Sequence, residues 1–256
     1  MNEDIGDILT NWPYNPDDDL IVRIIDTPGG RKLQMRIDMG IIQMNVDGHP
    51  TGEKPDGYES WLDYYEHELM QFESGNVDDY FTLSGEDCKI LRREGVQYYY
   101  RYLSLMKIED YRRVIRDTTR NMRLFTLVKT YAENEMDRWA LDQFRPYVIM
   151  MNARARASVR LKESPATGIT DAIELFDKGM GEIMAFYKEY GISSEVDSSV
   201  ELTILKALKT EYLRKTPPSL EEELEKAVSE ERFEDAAALR DKIRDKHQKI
   251  NGSSEV

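Results

Sequence analysis

The chain has 256 residues, of which 40% are hydrophobic, and a net charge of -14; this composition allows a packed core and excludes a disordered chain. A single cysteine, Cys88, rules out an internal disulfide. No apolar run in the sequence approaches the roughly 18 residues that span a bilayer, and the first residues are acidic where a leader is basic. The sequence therefore predicts a cytoplasmic protein with no membrane segment, and its negative charge argues against nucleic acid as a partner.

The charge is unevenly distributed along the chain. The net charge is -13 for residues 1–83, +3 for residues 84–216 and -4 for residues 217–256. Such asymmetry predicts separate modules, or surfaces of one chain that face each other. Two interpretations of the basic middle follow from it. Either the middle packs against the acidic front of the same chain, or its arginines bind an acidic partner.

Residues 1–83 are predicted to form an acidic β-hairpin or meander followed by a helix. The β-branched run 20–26 predicts a strand, and Thr27-Pro28-Gly29-Gly30 predicts a turn. Apolar and polar residues then alternate, and after Gly40 they alternate in the opposite phase. A bulge at Gly40-Ile41 would restore one buried face. We therefore expect a small antiparallel sheet of two or three strands.

A turn-rich segment, residues 48–57, follows the predicted strands. Its Gly48, Gly52 and Lys54 resemble a phosphate-binding loop, but the spacing fails and no hydroxyl residue follows the lysine. We expect a structural connector here. A helical period begins beyond it, with an apolar stripe that runs from Trp61 to Phe72.

Residues 84–216 are predicted to form a helical body, either repeat-like or a bundle. Ser84-Gly85-Glu86-Asp87 resembles a capping box at the start of a helix. Helical hairpins are predicted at about 86–131 and about 145–190, with helical pattern over 139–161, 169–190 and 200–213, and Gly191 is placed to end a helix. The second hairpin is similar to a tetratricopeptide unit in its small residues, which are Ala153, Ala155, Ala157, Ala172 and Gly179.

An arginine stripe recurs every four residues in the body. Arg112, Arg116 and Arg120 lie opposite an apolar stripe, and guanidinium groups bind carboxylates or phosphates in a bidentate manner. The stripe is therefore a candidate anion-binding site. The alternative, a solvated face or one paired within the chain, is more common on helices and is favoured here. The tyrosines of the run Tyr98-Tyr99-Tyr100-Arg101-Tyr102 would face all sides of a helix. This favours their burial in a core or interface over stacking with nucleic-acid bases.

The last module, residues 217–256, is predicted to be a short helical hairpin with a flexible tail. Ser219 and Glu222 form a capping box, and residues 229–232 form a turn between two helices. Each helix is about a dozen residues long and marginal alone in water. The two together lie below the size that usually folds without help. The hairpin is therefore expected to pack against a second copy or a partner.

At these residues the sequence resembles the UVR motif, shared by UvrB and UvrC of nucleotide excision repair and by McsA-like stress proteins. The residues that carry the resemblance are Phe233-Glu234, Ala236-Ala237, Leu239-Arg240-Asp241 and Ile243. The resemblance implies a protein–protein module that pairs with another such hairpin. It implies a contact face whose members are Leu224, Val228, Phe233, Ala237 and Ile243, with Arg240 and Asp241 setting the register. The rest of the chain has no Walker A motif, and with one cysteine it lacks the paired cysteines of zinc sites.

The sequence nominates no catalytic residues, metal ligands or cofactor site. Its three histidines, His49, His67 and His247, are far apart, and no hydrolase motif is present. We therefore expect a mostly α, α+β protein that is not an enzyme. Its expected function is that of an adaptor whose UVR-type hairpin engages a protein partner or itself, in DNA repair or a stress response. The alternative is a repair or regulatory protein that contacts nucleic acid through the arginine stripe.

Overall fold

The computed structural model describes residues 4–75, 80–164, 167–215 and 220–252, with side chains described for 223–244 in the last range. The chain forms two compact units, residues 1–209 and residues 210–256. The predicted front and most of the predicted helical body thus belong to one unit. The capping residue predicted at Ser219 lies outside the described residues.

A three-stranded antiparallel sheet forms near the N-terminus, as predicted. Its strands are β1 (Ile21–Thr27), β2 (Gly30–Ile37) and β3 (Gly40–Asn45), in the order β1-β2-β3. The predicted turn joins β1 to β2, where Thr27 pairs with Gly30. Gly30 has a φ of 95°, which a residue with a Cβ rarely adopts.

The predicted bulge at Gly40-Ile41 is wrong, because the chain reverses direction there instead. Ile37 pairs with Gly40 across a two-residue turn, so β2 and β3 form a second hairpin. In this register Leu33 lies opposite Met44. An odd-numbered residue of β2 therefore shares its face with an even-numbered residue of β3, which is why the apolar phase changes at the turn.

The other face of β2 is covered by the N-terminal segment, which contains α1 (Gly6–Asn11). The Arg36 guanidinium donates to the carbonyl oxygen of Trp12 at 2.9 Å and to carbonyl oxygens of the β2–β3 turn. The Arg23 guanidinium lies 3.9 Å from the centroid of the Trp12 ring. In β2, the polar side chains of Lys32, Gln34 and Arg36 thus lie on the second face, while the apolar side chains of Leu33, Met35 and Ile37 lie on the first.

Most of the rest of the described chain is α-helical, with short 3-10 helices at Pro55–Gly57 and Ser193–Ser198. The helices are α2 (Trp61–Ser74), α3 (Gly85–Lys107), α4 (Tyr111–Tyr131), α5 (Glu135–Asp142), α6 (Arg145–Glu163), α7 (Gly168–Glu189), α8 (Val200–Lys215), α9 (Leu220–Ser229) and α10 (Phe233–Gly252). The stretch predicted as helical over 139–161 is interrupted at Gln143-Phe144 and forms α5 and α6. Pro146 lies in the first turn of α6, a position that suits proline because the first helical amides have no intrahelical partner.

Both helical hairpins predicted for the body are confirmed, since α3 packs on α4 and α6 packs on α7. The capping box that starts α3 is complete, with the Ser84 side chain and the Asp87 side chain each bonded to the other's backbone amide. In the second hairpin a Cβ added to Gly179 would lie 3.0 Å from the Cβ of Ala153. Small residues thus allow the close crossing of α6 and α7. The similarity of this hairpin to a tetratricopeptide unit stays a prediction.

Three helices, α3, α7 and α9, end in the same backbone motif. In each, an amide donates to the carbonyl oxygen five residues back, and the residue before that amide has a positive φ. The residues with positive φ are Glu109 (60°), Gly191 (68°) and Glu231 (57°). Gly191 ends α7 as predicted. The two glutamates occupy a conformation that normally costs a residue with a Cβ about 1–2 kcal/mol.

None of the helices in the described part of the chain is both long and apolar enough to cross a membrane.

Candidate interaction surface

The C-terminal hairpin consists of α9 and α10, which pack against each other. Its turn is closed by hydrogen bonds from the Arg232 amide to the Ala227 carbonyl oxygen at 2.8 Å and from the Glu231 amide to the Val228 carbonyl oxygen at 3.1 Å. The small side chains of Ala227 and Ala236 are buried. Two alanines thus form the closely packed part of the hairpin beside its turn.

Larger apolar side chains of the hairpin remain open to solvent. Phe233, at the first position of α10, is 67% exposed, and Val228 is 48% exposed. Leu224 and Ile243 are half-buried, and Ala237 is exposed. Phe233, Val228 and Ala237 are thus available to a partner. Burying a whole phenylalanine side chain is worth about 1.5–3 kcal/mol, so the exposed part of Phe233 is a substantial source of binding free energy.

Arg240 and Asp241, the two residues expected to set register, are both exposed on α10. Asp241 forms an ion pair with Arg244 at 3.0 Å on the same helix. At the turn, Arg232 pairs with Glu230 at 2.9 Å and with Asp235 at 2.6 Å. Charged residues therefore surround the apolar face. The part of Arg240 and Asp241 in binding stays a prediction.

The arginine stripe on α4 is engaged with carboxylates of the same chain. Arg112 pairs with Glu163 at the end of α6, and Arg120 pairs with Glu94 on α3. Arg116 pairs with Asp47 at 2.6 Å. These ion pairs are those expected of a face that is paired within the chain. The binding of an external anion by Arg112, Arg116 and Arg120 stays a prediction.

Asp47 connects the acidic front to the basic middle. Its carboxylate accepts hydrogen bonds from Arg113 at 2.8 Å and from Arg116 at 2.6 Å. The hydrogen bond from Arg113 is the largest influence that lowers the pKa of Asp47, to about 2, against a smaller opposing effect of burial. This ion-pair cluster joins the acidic front to the basic middle. It is the kind of contact expected if the middle packs against the front of the same chain.

A buried charge network centred on Glu94 was not predicted from the sequence. The Glu94 side chain is 1% exposed, and its carboxylate accepts hydrogen bonds from the Trp61 amide at 2.7 Å and the Leu62 amide at 3.1 Å. These are the first two amides of α2, so Glu94 caps that helix. The same carboxylate is 3.2 Å from His49 Nε2 and pairs with Arg120. One side chain of α3 thereby fixes α2, α4 and the loop after β3.

A second buried pair extends this network toward the sheet. Arg101 Nε and Nη2 donate to the two carboxylate oxygens of Asp117, at 2.7 and 2.8 Å, and both side chains are at most 1% exposed. Arg101 Nη1 donates to the carbonyl oxygen of Gly48 at 2.6 Å. The segment expected to be a structural connector is therefore attached to the helical body from inside.

Apart from Arg120, the helical charges of the network lie within the apolar stripes of their helices. On α3 the buried positions Leu91, Glu94, Tyr98, Arg101 and Leu105 are spaced three and four residues apart. On α4 the buried positions Val114, Asp117, Asn121, Leu124 and Val128 have the same spacing. Charged residues in an apolar stripe are the one signal by which the sequence indicates buried partners.

His49 is buried at 3% exposure, and burial is the main reason that its pKa falls to about 4 from an ordinary 6.5. Glu53 opposes this shift, whereas Arg120 and Arg101 increase it. The imidazole is therefore neutral at pH 7. Its Nε2 can then donate to the Glu94 carboxylate, while Nδ1 accepts from the Thr51 hydroxyl at 2.8 Å.

Comparison with known proteins gives one finding, and it concerns the hairpin. No curated protein and no solved structure matches this chain. Residues 218–248 match the model of the UvrB/uvrC motif. The match covers a small part of the chain, and it includes the exposed residues Val228 and Phe233. The resemblance inferred from the sequence is thus confirmed, and the chain carries a UvrB/uvrC motif at its C-terminal hairpin.

Proposed function

We propose that this protein is a non-catalytic adaptor whose α9–α10 hairpin binds a protein partner, or a second copy of the chain, in DNA repair or a stress response. The helical body, residues 84–216, receives a second protein. The observation that carries the proposal is the exposure of Phe233, 67% open to solvent, within the UvrB/uvrC motif.

The position of Phe233 supports a docking role over a structural one. The hairpin packs beside its turn through Ala227 and Ala236, while the largest apolar side chain described in it faces solvent. An aromatic anchor surrounded by charged residues is the usual arrangement of a protein-binding hot spot. UVR motifs mediate protein–protein interactions, which agrees with this arrangement.

The partner's surface follows from the chemistry of the hairpin. Phe233, Val228 and the exposed Ala237 require an apolar groove, and the charged residues around them require a polar rim. A second helical hairpin of the same type meets both requirements. Such a partner buries the apolar faces of both hairpins at once, which compensates for the small core of each.

Affinity capture with a tagged full-length chain tests the proposal. We expect Phe233→Asp to abolish capture of the partner, because a carboxylate cannot be buried without a counter-charge. Aspartate is favoured in the first turn of a helix, so the hairpin itself should survive the change. Ala238→Asp is the matched control, since it adds the same charge at another exposed position of α10.

Light scattering of the purified chain separates the two kinds of partner. A second copy as partner predicts a dimer that Phe233→Asp converts to a monomer and that Ala238→Asp leaves intact. A foreign partner predicts a monomer in all three proteins, with a protein captured by the parent chain and by Ala238→Asp. Equal capture and equal mass for Phe233→Asp and the parent chain would contradict the adaptor proposal.

A further inference from the structure

A cleft lined by aromatic side chains opens on the helical body, far along the sequence from the UVR motif. Its volume is about 490 Å³, within the range of roughly 300–1,000 Å³ typical of small-molecule sites. Its walls come mainly from α3, and α4, α5, α6 and α8 contribute further lining residues. The lining residues that matter here are Arg92, Val96, Tyr99, Tyr102, Phe144 and Tyr147.

Three tyrosines give the cleft flat walls. The ring centroid of Tyr99 is 5.6 Å from that of Tyr102 and 6.0 Å from that of Tyr147, with interplanar angles of 88° and 57°. Val96 and Phe144, at 44% and 54% exposure, complete the apolar surface toward solvent. Ring edges and faces arranged in this way suit a planar aromatic guest, because aromatic groups prefer offset or edge-to-face contacts.

The tyrosine hydroxyls provide polar groups inside this apolar surface. Tyr102 is only 2% exposed, and the hydroxyls of Tyr99, Tyr102 and Tyr147 make no hydrogen bond to any residue that the structure describes. Burial raises the pKa of Tyr147 to about 12 and that of Tyr102 further, so both are donors at neutral pH. The three hydroxyl oxygens are not fully buried, so each can donate a hydrogen bond to an acceptor on a bound molecule.

Arg92 supplies a positive charge at the cleft. It is exposed, and it forms no ion pair or hydrogen bond with the described part of the chain. The acidic residue that also lines the cleft, Glu201, already accepts a hydrogen bond from the Ser199 hydroxyl at 3.0 Å. Arg113, Arg116 and Arg120 of α4 are paired with carboxylates, whereas the guanidinium of Arg92 is open to an anion.

We propose that this cleft binds a small planar aromatic molecule that carries one anionic group. The aromatic body lies against the open parts of Tyr99 and Tyr147 and against Val96 and Phe144, with an acceptor toward the tyrosine hydroxyls, and the anionic group pairs with Arg92. All lining residues belong to residues 1–209 and none to the UVR hairpin, so the proposal stands or falls independently of the adaptor function.

Fluorescence titration with two probes tests the proposal on the full-length chain. The probes are 8-anilinonaphthalene-1-sulfonate, which is anionic, and N-phenyl-1-naphthylamine, which has a similar aromatic body and no charge. The titrations use a Phe233→Asp background, which removes the apolar anchor of the hairpin as a competing site. We expect saturable binding of one anionic probe per chain, with weaker binding of the neutral probe.

Three variants assign the site. Val96→Trp fills the cleft and should abolish binding of both probes. Arg92→Gln should weaken the anionic probe about fivefold to tenfold and leave the neutral probe unchanged. Arg93→Gln is the matched control, because Arg93 is the next residue of α3, is exposed and does not line this cleft.

Two outcomes overturn the proposal. An equal loss of affinity for the anionic probe in Arg92→Gln and Arg93→Gln means that its binding depends only on the overall charge of the protein. A change of the chain's mass in solution on Val96→Trp, measured by light scattering, means that the cleft is occupied by a second copy of the chain and not by a small molecule.

Discussion

The helical body and the C-terminal hairpin differ in what they bury. The body buries charged side chains, whereas the hairpin leaves apolar side chains exposed. The body buries Glu94, Arg101 and Asp117 at 1% exposure or less, whereas the hairpin leaves Phe233 67% exposed. A buried charge is tolerated only when its partners are present in the same chain. The body therefore contains the partners of its buried charges, while the hairpin leaves its largest described apolar side chain open to solvent.

The largest expected effect comes from breaking the buried network of the body. Glu94→Gln removes the charge that pairs with Arg120 and leaves a buried guanidinium without its counter-ion. We expect a loss of about 3–5 kcal/mol in the free energy of unfolding, measured by urea denaturation. Glu86→Gln, on the same helix and in an exposed ion pair with Lys89, should cost less than about 0.5 kcal/mol. Equal urea midpoints for the two variants would show that the network does not stabilise the body.

The second effect is a pH dependence of the stability of the body, and it arises from His49. The pKa of His49 is about 4 in the folded protein and 6.5 ordinarily. Between these values the unfolded chain binds the additional proton, so stability falls as the pH decreases from 6.5 toward 4. At pH 4.5 we expect about 2–3 kcal/mol less stability than at pH 7 from this residue. His49→Gln should flatten the profile over this interval, and unchanged steepness in the variant would contradict the assignment.

A smaller effect is expected at the start of α3, the helix that carries Glu94 and Arg101. Ser84→Ala removes the side chain that accepts from the Asp87 amide, and the capping box is lost. The expected cost is about 1 kcal/mol in the free energy of unfolding. Ser84→Thr keeps a hydroxyl at the same position and should be nearly neutral. If Ser84→Thr lowered the free energy of unfolding as much as Ser84→Ala, the effect would come from packing and not from the cap.

An effect of similar size is expected at the helix ends of the two regions, which can be compared directly. Glu231 ends α9 and Gly191 ends α7 in the same left-handed conformation. Glu231→Gly should stabilise the hairpin by about 1 kcal/mol, and Gly191→Ala should destabilise the body by a similar amount. Amide hydrogen exchange, read separately for α9–α10 and for α7, measures both. Faster exchange in α9–α10 of Glu231→Gly would mean that the glutamate side chain contributes more than its backbone conformation costs.

Features that depend on nearby residues were predictable from the sequence. The turn at Thr27–Gly30, the capping box at Ser84 and the helix end at Gly191 each rest on residues within one turn of each other, and the structure contains all three. The second hairpin turn was not recognised, because neither Asp38 nor Met39 has a positive φ and the usual glycine signal is absent.

Features that depend on distant residues were not predictable in the same way. His49, Glu94 and Arg120 meet across 45 and 26 residues of sequence, and an acidic chain offers many carboxylates from which to choose. Glu109 follows α3 where glycine is expected, so the sequence gives no indication of that end, and the turn predicted at 229–232 did not reveal the left-handed conformation of Glu231. The predicted contact face of the hairpin came from the UVR resemblance, and its exposure in the folded chain became evident only from the structure.

The central claim is that the apolar face at Phe233 contacts another protein, and photo-crosslinking at that position tests it most directly. The full-length chain is made with p-benzoyl-phenylalanine in place of Phe233, or in place of Ala238 as the control on the same helix. The account predicts a discrete protein–protein crosslink from position 233 that is absent from position 238. No crosslink from position 233, or the same products from both positions, would contradict it.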